Sequence, residues 1–380
     1  MQSIFETEYS EIREVVSKFS DTEVAPLAEK IDKEGKIPED LIKKLFENGF
    51  MGSYVPEEFG GAGMDYSSYA VIVEEISRGC ASTGVLISAH TSLCVWPILN
   101  FGTNAQKKKF LPILSEKGGI GCFCLSEPNA GSDPGGLTTF AEDKGDYYEI
   151  SGTKNFITNG KDATIALVLA KTTKTTDHKG ITAFIVETKT EGFHVQKLED
   201  KLGIKGSSTA QIWLDKVKVP KENVLGEIGK GFSIALSTLD GGRIGIAAQA
   251  LGISEAAFRY AKKYSKERIQ FGKPISNFQA IQFILADMSV QISASRLLIM
   301  NASFLKDKKL PYSKEAAQAK LFASESCMGI TTKAIQVLGG NGYCKEYPVE
   351  RFFRDAKITE IYEGTSEIQR IVIAANELKE

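Results

Sequence analysis

The texture of apolar residues changes twice along this chain, from a helical period to short β-rich runs and back, and few folds accommodate that order. Up to about residue 118, Ile12, Val15, Val16 and Phe19 recur at helical spacing. Pro38-Glu39-Asp40 opens a second helix carrying Leu41, Ile42, Leu45 and Phe46, with Gly49 as its stop. From about 119 to 225 short β-rich runs take over, such as Tyr147-Tyr148-Glu149-Ile150 and Ile181-Thr182-Ala183-Phe184-Ile185-Val186, punctuated by Gly, Asn, Asp and Lys. After Pro220 long helices return. Ile281, Ile284, Leu285, Met288 and Ile292 mark one stripe. Ala316, Ala319, Ala323, Cys327, Ile330 and Ala334 mark another, ended by Gly339-Gly340. Small residues on this second stripe suit close helix approach in a bundle or subunit interface, and equally an ordinary core. The expectation is a mainly α protein with a central β domain: an N-terminal helical domain (1–118), a middle β barrel or sandwich (119–225) and a C-terminal four-helix bundle (226–380).

At 380 residues the chain buries a large core without covalent staples. With 46 basic against 48 acidic residues, net charge leaves no nucleic-acid footprint, although local basic patches remain available to a phosphorylated ligand. Cys80, Cys94, Cys122, Cys124, Cys327 and Cys344 are scattered, and the start carries no charged-then-apolar segment, so reduced core thiols of an intracellular protein are expected. Cys122 and Cys124 sit one residue apart, which on a strand places both on one face. With only His90, His178 and His194 available, no metal site is expected. No continuous apolar run reaches the roughly 18 residues of a membrane span, so a soluble protein is expected.

Several loops carry groups suited to chemistry. Leu125-Ser126-Glu127-Pro128-Asn129-Ala130-Gly131-Ser132-Asp133 exposes amides and hydroxyls where glycine permits close backbone approach; alone, it serves equally as a hairpin loop. Phe156-Ile157-Thr158 offers an aromatic face and a hydroxyl, or simply a strand end before the Asn159-Gly160 turn. Gly229-Lys230-Gly231 begins a glycine pattern that Ile234 breaks, without a βαβ unit, so a nicotinamide site is not indicated. Ile361-Tyr362-Glu363-Gly364-Thr365 puts one carboxylate on a glycine-flanked turn near the end of the chain.

In order and spacing, these motifs resemble the acyl-CoA dehydrogenase family, most nearly its short-chain or butyryl-CoA members. Pro56-Glu57-Glu58-Phe59-Gly60-Gly61-Ala62-Gly63, Asp240-Gly241-Gly242-Arg243, Arg268-Ile269-Gln270-Phe271-Gly272 and Gln336-Val337-Leu338-Gly339-Gly340 extend the likeness along the whole chain. The resemblance implies FAD lined by Phe123, Leu125, Ser126, Ser132, Phe156, Ile157 and Thr158. It implies Arg268, Phe271, Gln279, Gln336, Val337, Leu338, Gly339 and Gly340 around the adenine and pyrophosphate of a flavin held mainly by a neighbouring subunit, and adds Thr365 and Glu367 to the cofactor positions. Many relatives have Trp where this chain has Phe156, which keeps the aromatic plane and removes a donor. Ser132, Asp240, Gly241, Gly242, Arg243, Tyr362 and Gly364 are implied to meet the acyl-CoA. A lone Arg268 would otherwise be a solvated helix end, and Asp240 to Arg243 a plain loop.

Glu363 is the implied catalytic base. Some relatives carry theirs in the upstream helix just before the matched arginine, but here that position is Gly242. The implied reaction removes the α-proton and transfers the β-hydride to flavin N5, giving a trans-2-enoyl-CoA. An electron-transfer flavoprotein is the implied acceptor, a dimer-of-dimers homotetramer the implied assembly, and the cytoplasm, or the mitochondrial matrix for a mature eukaryotic chain, the implied location. Branched or cyclic acyl substrates, a flavin oxidase on the same scaffold and a non-catalytic acyl-CoA-binding protein are the alternatives. Gly84-Val85-Leu86-Ile87 lacks the basic residue that glutaryl-type relatives carry there.

Overall fold

The computed structural model describes residues 8–174 and 178–379. The N-terminal part is helical: α1 (Ser10–Phe19), α2 (Ala28–Glu34), α3 (Glu39–Glu47), α4 (Tyr66–Gly79), α5 (Ala81–Ser88), α6 (Trp96–Phe101) and α7 (Asn104–Ser115). Pro38 precedes α3 in an extended conformation, and Gly49 behind it adopts a φ of 71°, as its role as a stop requires. Asp65 caps α4 by accepting from the Ser68 amide at 2.7 Å. Thr103 and Gln106 form a reciprocal capping box on α7.

An eight-stranded sheet follows, built of β1 (Ile120–Cys124), β2 (Phe140–Asp143), β3 (Tyr147–Thr158), β4 (Ala163–Lys171), β5 (Ile181–Glu187), β6 (Phe193–Leu198), β7 (Thr209–Pro220) and β8 (Val224–Leu225). Its path runs β6-β7-β3-β2-β4-β5-β8, with β1 parallel to β4. β4 reads as one apolar run because both of its faces are covered. Ile165, Leu167 and Leu169 pack with Cys94, Ile98 and Phe110 of the helical part. The alternate residues Ala166, Val168 and Ala170 meet Ile150, Ile212 and Val217 of β3 and β7, so the sheet folds over a core of its own. Cys122 and Cys124 both face that core, their sulfurs 3.8 Å apart. Five of the six cysteines are buried free thiols; Cys344 departs from the core-thiol expectation by being exposed.

The C-terminal part contains α8 (Gly231–Glu267), α9 (Gln279–Asp307), α10 (Ser313–Leu338), α11 (Val349–Lys357) and α12 (Ser366–Glu377). Every member of the alanine stripe on α10, from Ala316 to Ala334, is buried in the core shared by α8, α9 and α4. Two helical stretches, Ala81–Phe101 and Gln279–Asp307, are long and apolar enough by length and composition to cross a membrane, contrary to the expectation from uninterrupted apolar runs. The first is 78% buried inside the protein; the second is 28% buried and leaves Phe283, Val290 and Leu297 exposed.

Candidate active site

α8 presents a glycine-lined face to the interior. A Cβ built on Gly241 would lie 2.8 Å from Lys306 Nζ, one on Gly242 1.9 Å from Glu363 Oε2 and 2.8 Å from Leu93, and one on Gly245 2.4 Å from the Ser88 and Tyr69 hydroxyls. Other groups occupy the space a side chain would take on this face, so a larger residue here would have to displace Lys306, Glu363 or the two hydroxyls. Asp240 and Arg243 form an ion pair at its start, and Ser313 donates to Asp240 at 2.9 Å.

Glu363 reaches this face from the turn between α11 and α12. It has a φ of 52° and Gly364 one of 95°, two successive left-handed residues that aim the carboxylate inward before Thr365 caps α12 through the Ile368 amide. The residue is half-buried, but its Oε2 is buried and has no hydrogen-bond partner among the described residues. Burial pushes the carboxyl up to about 8, against the opposing pull of Lys320 and Arg243. A carboxyl kept near neutrality, with one oxygen unengaged, is chemically suited to accept a proton from a bound molecule. Tyr362, beside it, hydrogen-bonds Gln249 of α8.

The cofactor positions form two further groups. On the sheet side, the Asn155 amide donates to the Ser126 carbonyl at 2.8 Å, bringing the loop after β1 to the end of β3. Phe156, at a φ of 55°, is 65% exposed beside half-buried Thr158. Phe123 and Ser126 are half-buried, Leu125 is buried and Ser132 exposed. Ile157 is buried in the sheet core, so that position offers backbone alone. At the far end of the bundle, Arg268, Phe271 and Gln279 are exposed, and Asn341, just after Gly339-Gly340, donates to Tyr264 of α8 at 2.8 Å. Phe271 is 93% exposed at a φ of 52°. Gln336 is exposed, whereas Val337 and Leu338 are buried in the bundle core; open space surrounds Gly339 and Gly340. Glu367 is exposed on the first turn of α12.

Three family models match in register: acyl-CoA dehydrogenase N-terminal domain over 6–117, middle domain over 122–217 and C-terminal domain over 229–378. A short-chain specific acyl-CoA dehydrogenase, mitochondrial, of Bos taurus is 51% identical over 97% of this chain and 89% of its own length. The chain belongs to the acyl-CoA dehydrogenase family. Among solved structures of this fold, butyryl-CoA dehydrogenase from Megasphaera elsdenii is 47% identical with a TM-score of 0.96, covering 100% of this chain and 99% of that one. A chain in the structure described as the electron transferring flavoprotein of Acidaminococcus fermentans is 48% identical with a TM-score of 0.97, covering 98% of each.

The residues present fit the flavin that this family uses. An exposed ring on a left-handed residue, a neighbouring hydroxyl and a loop held beside them make a surface that a flat ring system would cover. Sequence reasoning passed over several buried polar groups around these positions. Lys154 of β3, fully buried, donates to Glu127 at 2.8 Å and to the Leu125 carbonyl at 3.2 Å. Lys306 is enclosed by Tyr66, Trp96 and Tyr312, and burial pushes it down to about 7. Lys320 and Gln369, both buried, donate to the Gly364 carbonyl. The available signal was a lysine on an apolar stripe: Lys320 lies four residues after Ala316 and three before Ala323.

Proposed function

We infer that this protein is a FAD-dependent acyl-CoA dehydrogenase acting on short-chain thioesters, with Glu363 as the base that removes the α-proton. The unengaged Glu363 Oε2, buried against Gly242, carries the assignment of the base. FAD, when bound, supplies the acceptor for the β-hydride. Phe123, Leu125, Ser126, Ser132, Phe156, the Ile157 backbone and Thr158 are the positions proposed to hold it, completed across a subunit boundary by Arg268, Phe271, Gln279 and the 336–340 segment.

Glu363 performs the proton chemistry. Its carboxylate takes the proton from the carbon next to the thioester carbonyl and becomes the neutral acid. Its backbone N–H, which has no acceptor among the described residues, is free to bind the thioester oxygen and stabilise the enolate charge that develops there. Asp240 and Arg243 stand at the pantetheine side, with Tyr362 and Gly364 flanking the acyl group. The product is the trans-2-enoyl thioester. Short-chain substrates follow from the relatives named for them, and the Gly84–Ile87 stretch is buried in α5 without a cation for a second carboxylate.

An electron-transfer flavoprotein is the proposed acceptor, supported by the Acidaminococcus structure. Exposed Phe283, Val290 and Leu297 on α9, with Ile269 and Phe271 beside it, support a homotetramer. The deciding experiment is an anaerobic titration of the flavin-loaded protein with butyryl-CoA. Wild-type protein should lose its flavin absorbance band; Glu363→Gln should bind the thioester, keep the band and lose roughly 10²–10⁴-fold in turnover. Bleaching at the wild-type rate in that variant would move the base elsewhere; in a separate aerobic assay, oxygen consumption would indicate an oxidase.

A further inference from the structure

Lys320 sits fully buried in the middle of the alanine stripe of α10, where an ammonium is costly unless its donors and charge are satisfied. Two groups satisfy it. Its Nζ donates to the Gly364 carbonyl at 2.7 Å, and the carboxylate that acts on it most strongly is Glu363. Gln369, buried on α12, donates to the same carbonyl at 2.8 Å and to the Glu363 carbonyl at 3.3 Å. A Cβ on Gly364 would fall 2.6 Å from that amide nitrogen. The two left-handed residues carrying the base are thus clamped through their carbonyls by side chains from two different helices.

We propose that Lys320 is the positioning residue of the base: it holds the Glu363-Gly364 turn by the Gly364 carbonyl and, through its charge, keeps the Glu363 carboxylate ready to accept a proton. The inference rests on Glu363 being that base. Lys320 does this without occupying the reacting atom, because its hydrogen bond goes to the backbone while Glu363 Oε2 stays unpartnered. A cation bonded directly to the carboxylate would compete with the incoming proton; one held a residue away stabilises the anion and leaves its lone pair open.

The groups that face Glu363 from each surrounding element are few. Arg243 of α8 supplies a second cation, Tyr66 and Tyr69 of α4 supply buried phenols, and Tyr362 lies on the turn itself. Glu360, Glu367 and Arg243 act on Lys320 in turn. Arg243 is already paired with Asp240, so its charge is partly spent there. Lys320 is bonded to a neutral carbonyl and, among the described residues, to no carboxylate; burial lowers it to about 8, Glu363 opposing that shift, so its charge acts on Glu363 on the acid side of the profile.

The test compares Lys320→Met, Lys320→Arg and Gln369→Leu as flavin-loaded proteins, following kcat/KM with butyryl-CoA from about pH 6 to about pH 10. Flavin absorbance and melting temperature control for folding, with Lys320→Gln replacing the methionine variant if that one fails to hold flavin. Removing the charge should move the acid limb of the profile up by about one pH unit and cost roughly tenfold at neutral pH. Lys320→Arg should leave the limb where wild type has it. Gln369→Leu should lower kcat at every pH without moving the limb, separating the clamp from the charge. An unmoved limb in the uncharged variant, with turnover lost uniformly or not at all, overturns the proposal. Glu363→Gln, assayed alongside, keeps the outcomes distinct: its inactivity preserves the assignment of the base even where the role of Lys320 fails, and its activity removes both.

Discussion

Gly242 and Glu363 compete for one space: the position a Cβ would take on Gly242 lies 1.9 Å from Glu363 Oε2, although the residues are far apart in the chain. Gly242→Ala should therefore push the carboxylate away from its working position and cost about 10²-fold in kcat, the loss typical of a misplacement near 1 Å. Flavin content should be unchanged. The same coincidence predicts a transplant. Gly242→Glu combined with Glu363→Gly should recover part of the turnover that Glu363→Gly alone loses, because a carboxylate from either backbone reaches this point. Steady-state kinetics of the double variant checks it; no recovery would mean that the two side chains approach the substrate differently.

Burial holds the Glu363 carboxyl up to about 8, so kcat/KM of the free enzyme should rise with pH through that value as the base ionises. Stability should move the other way. A carboxyl whose folded pKa lies above its unfolded value stabilises the fold fully below the unfolded pKa, and that contribution is lost as pH rises through the folded one. Between the unfolded carboxyl value and about pH 8 the ligand-free protein should lose on the order of 1–3 kcal/mol from this group, a figure reduced from full burial because the residue is only half-buried. Denaturant midpoints at two pH values, compared between wild type and Glu363→Gln, isolate the contribution. A variant with the same pH slope as wild type would rule it out.

Lys154 and Glu127 fix the loop that the flavin ring is proposed to meet. Burial pushes the Glu127 carboxyl up, but Lys154 and the Thr138 and Thr139 donors more than reverse this and hold it at about 2. The pair's stabilisation is present above the unfolded carboxylate pKa and lost as pH falls through about 2. Lys154→Met strands a buried charge and should destabilise by roughly 3–5 kcal/mol. It should also release flavin on gel filtration, since the Leu125 carbonyl loses its anchor. Retention of flavin with unchanged stability would leave the pair without that role.

Tyr69 and Ser88 close the glycine face of α8 beyond Glu363, their hydroxyls filling the space at Gly245. Tyr69 also feels the Glu363 charge, so we propose that it forms the end wall of the acyl site. Activity across a series from butyryl- to dodecanoyl-CoA should peak at the short end, and Tyr69→Ala should shift the peak to longer chains. A wild-type optimum at octanoyl or beyond would overturn the short-chain preference.

Much of the architecture was legible without coordinates, for a local reason. The unbroken apolar runs of β4 and β5, covered on both faces, and the stripe from Ala316 to Ala334 record which faces of each element are covered, and covering a face is a property the element carries in its own residues. The motif order likewise marked Glu363 and the loop around Ser126. Ile157, Val337 and Leu338 lay inside those motifs too, yet their side chains turn into cores, because neighbouring positions on one element can face opposite ways. The environment of Glu363 was decided by tertiary structure alone. Gly242, Lys320 and Gln369 reach Glu363 from three helices, and neither their approach nor the desolvation it imposes is written in the spacing of any one segment. A sequence determines which groups a chain owns and which faces it hides. How strongly a carboxyl holds its proton depends on what water has been replaced by, and that is settled only when distant elements pack.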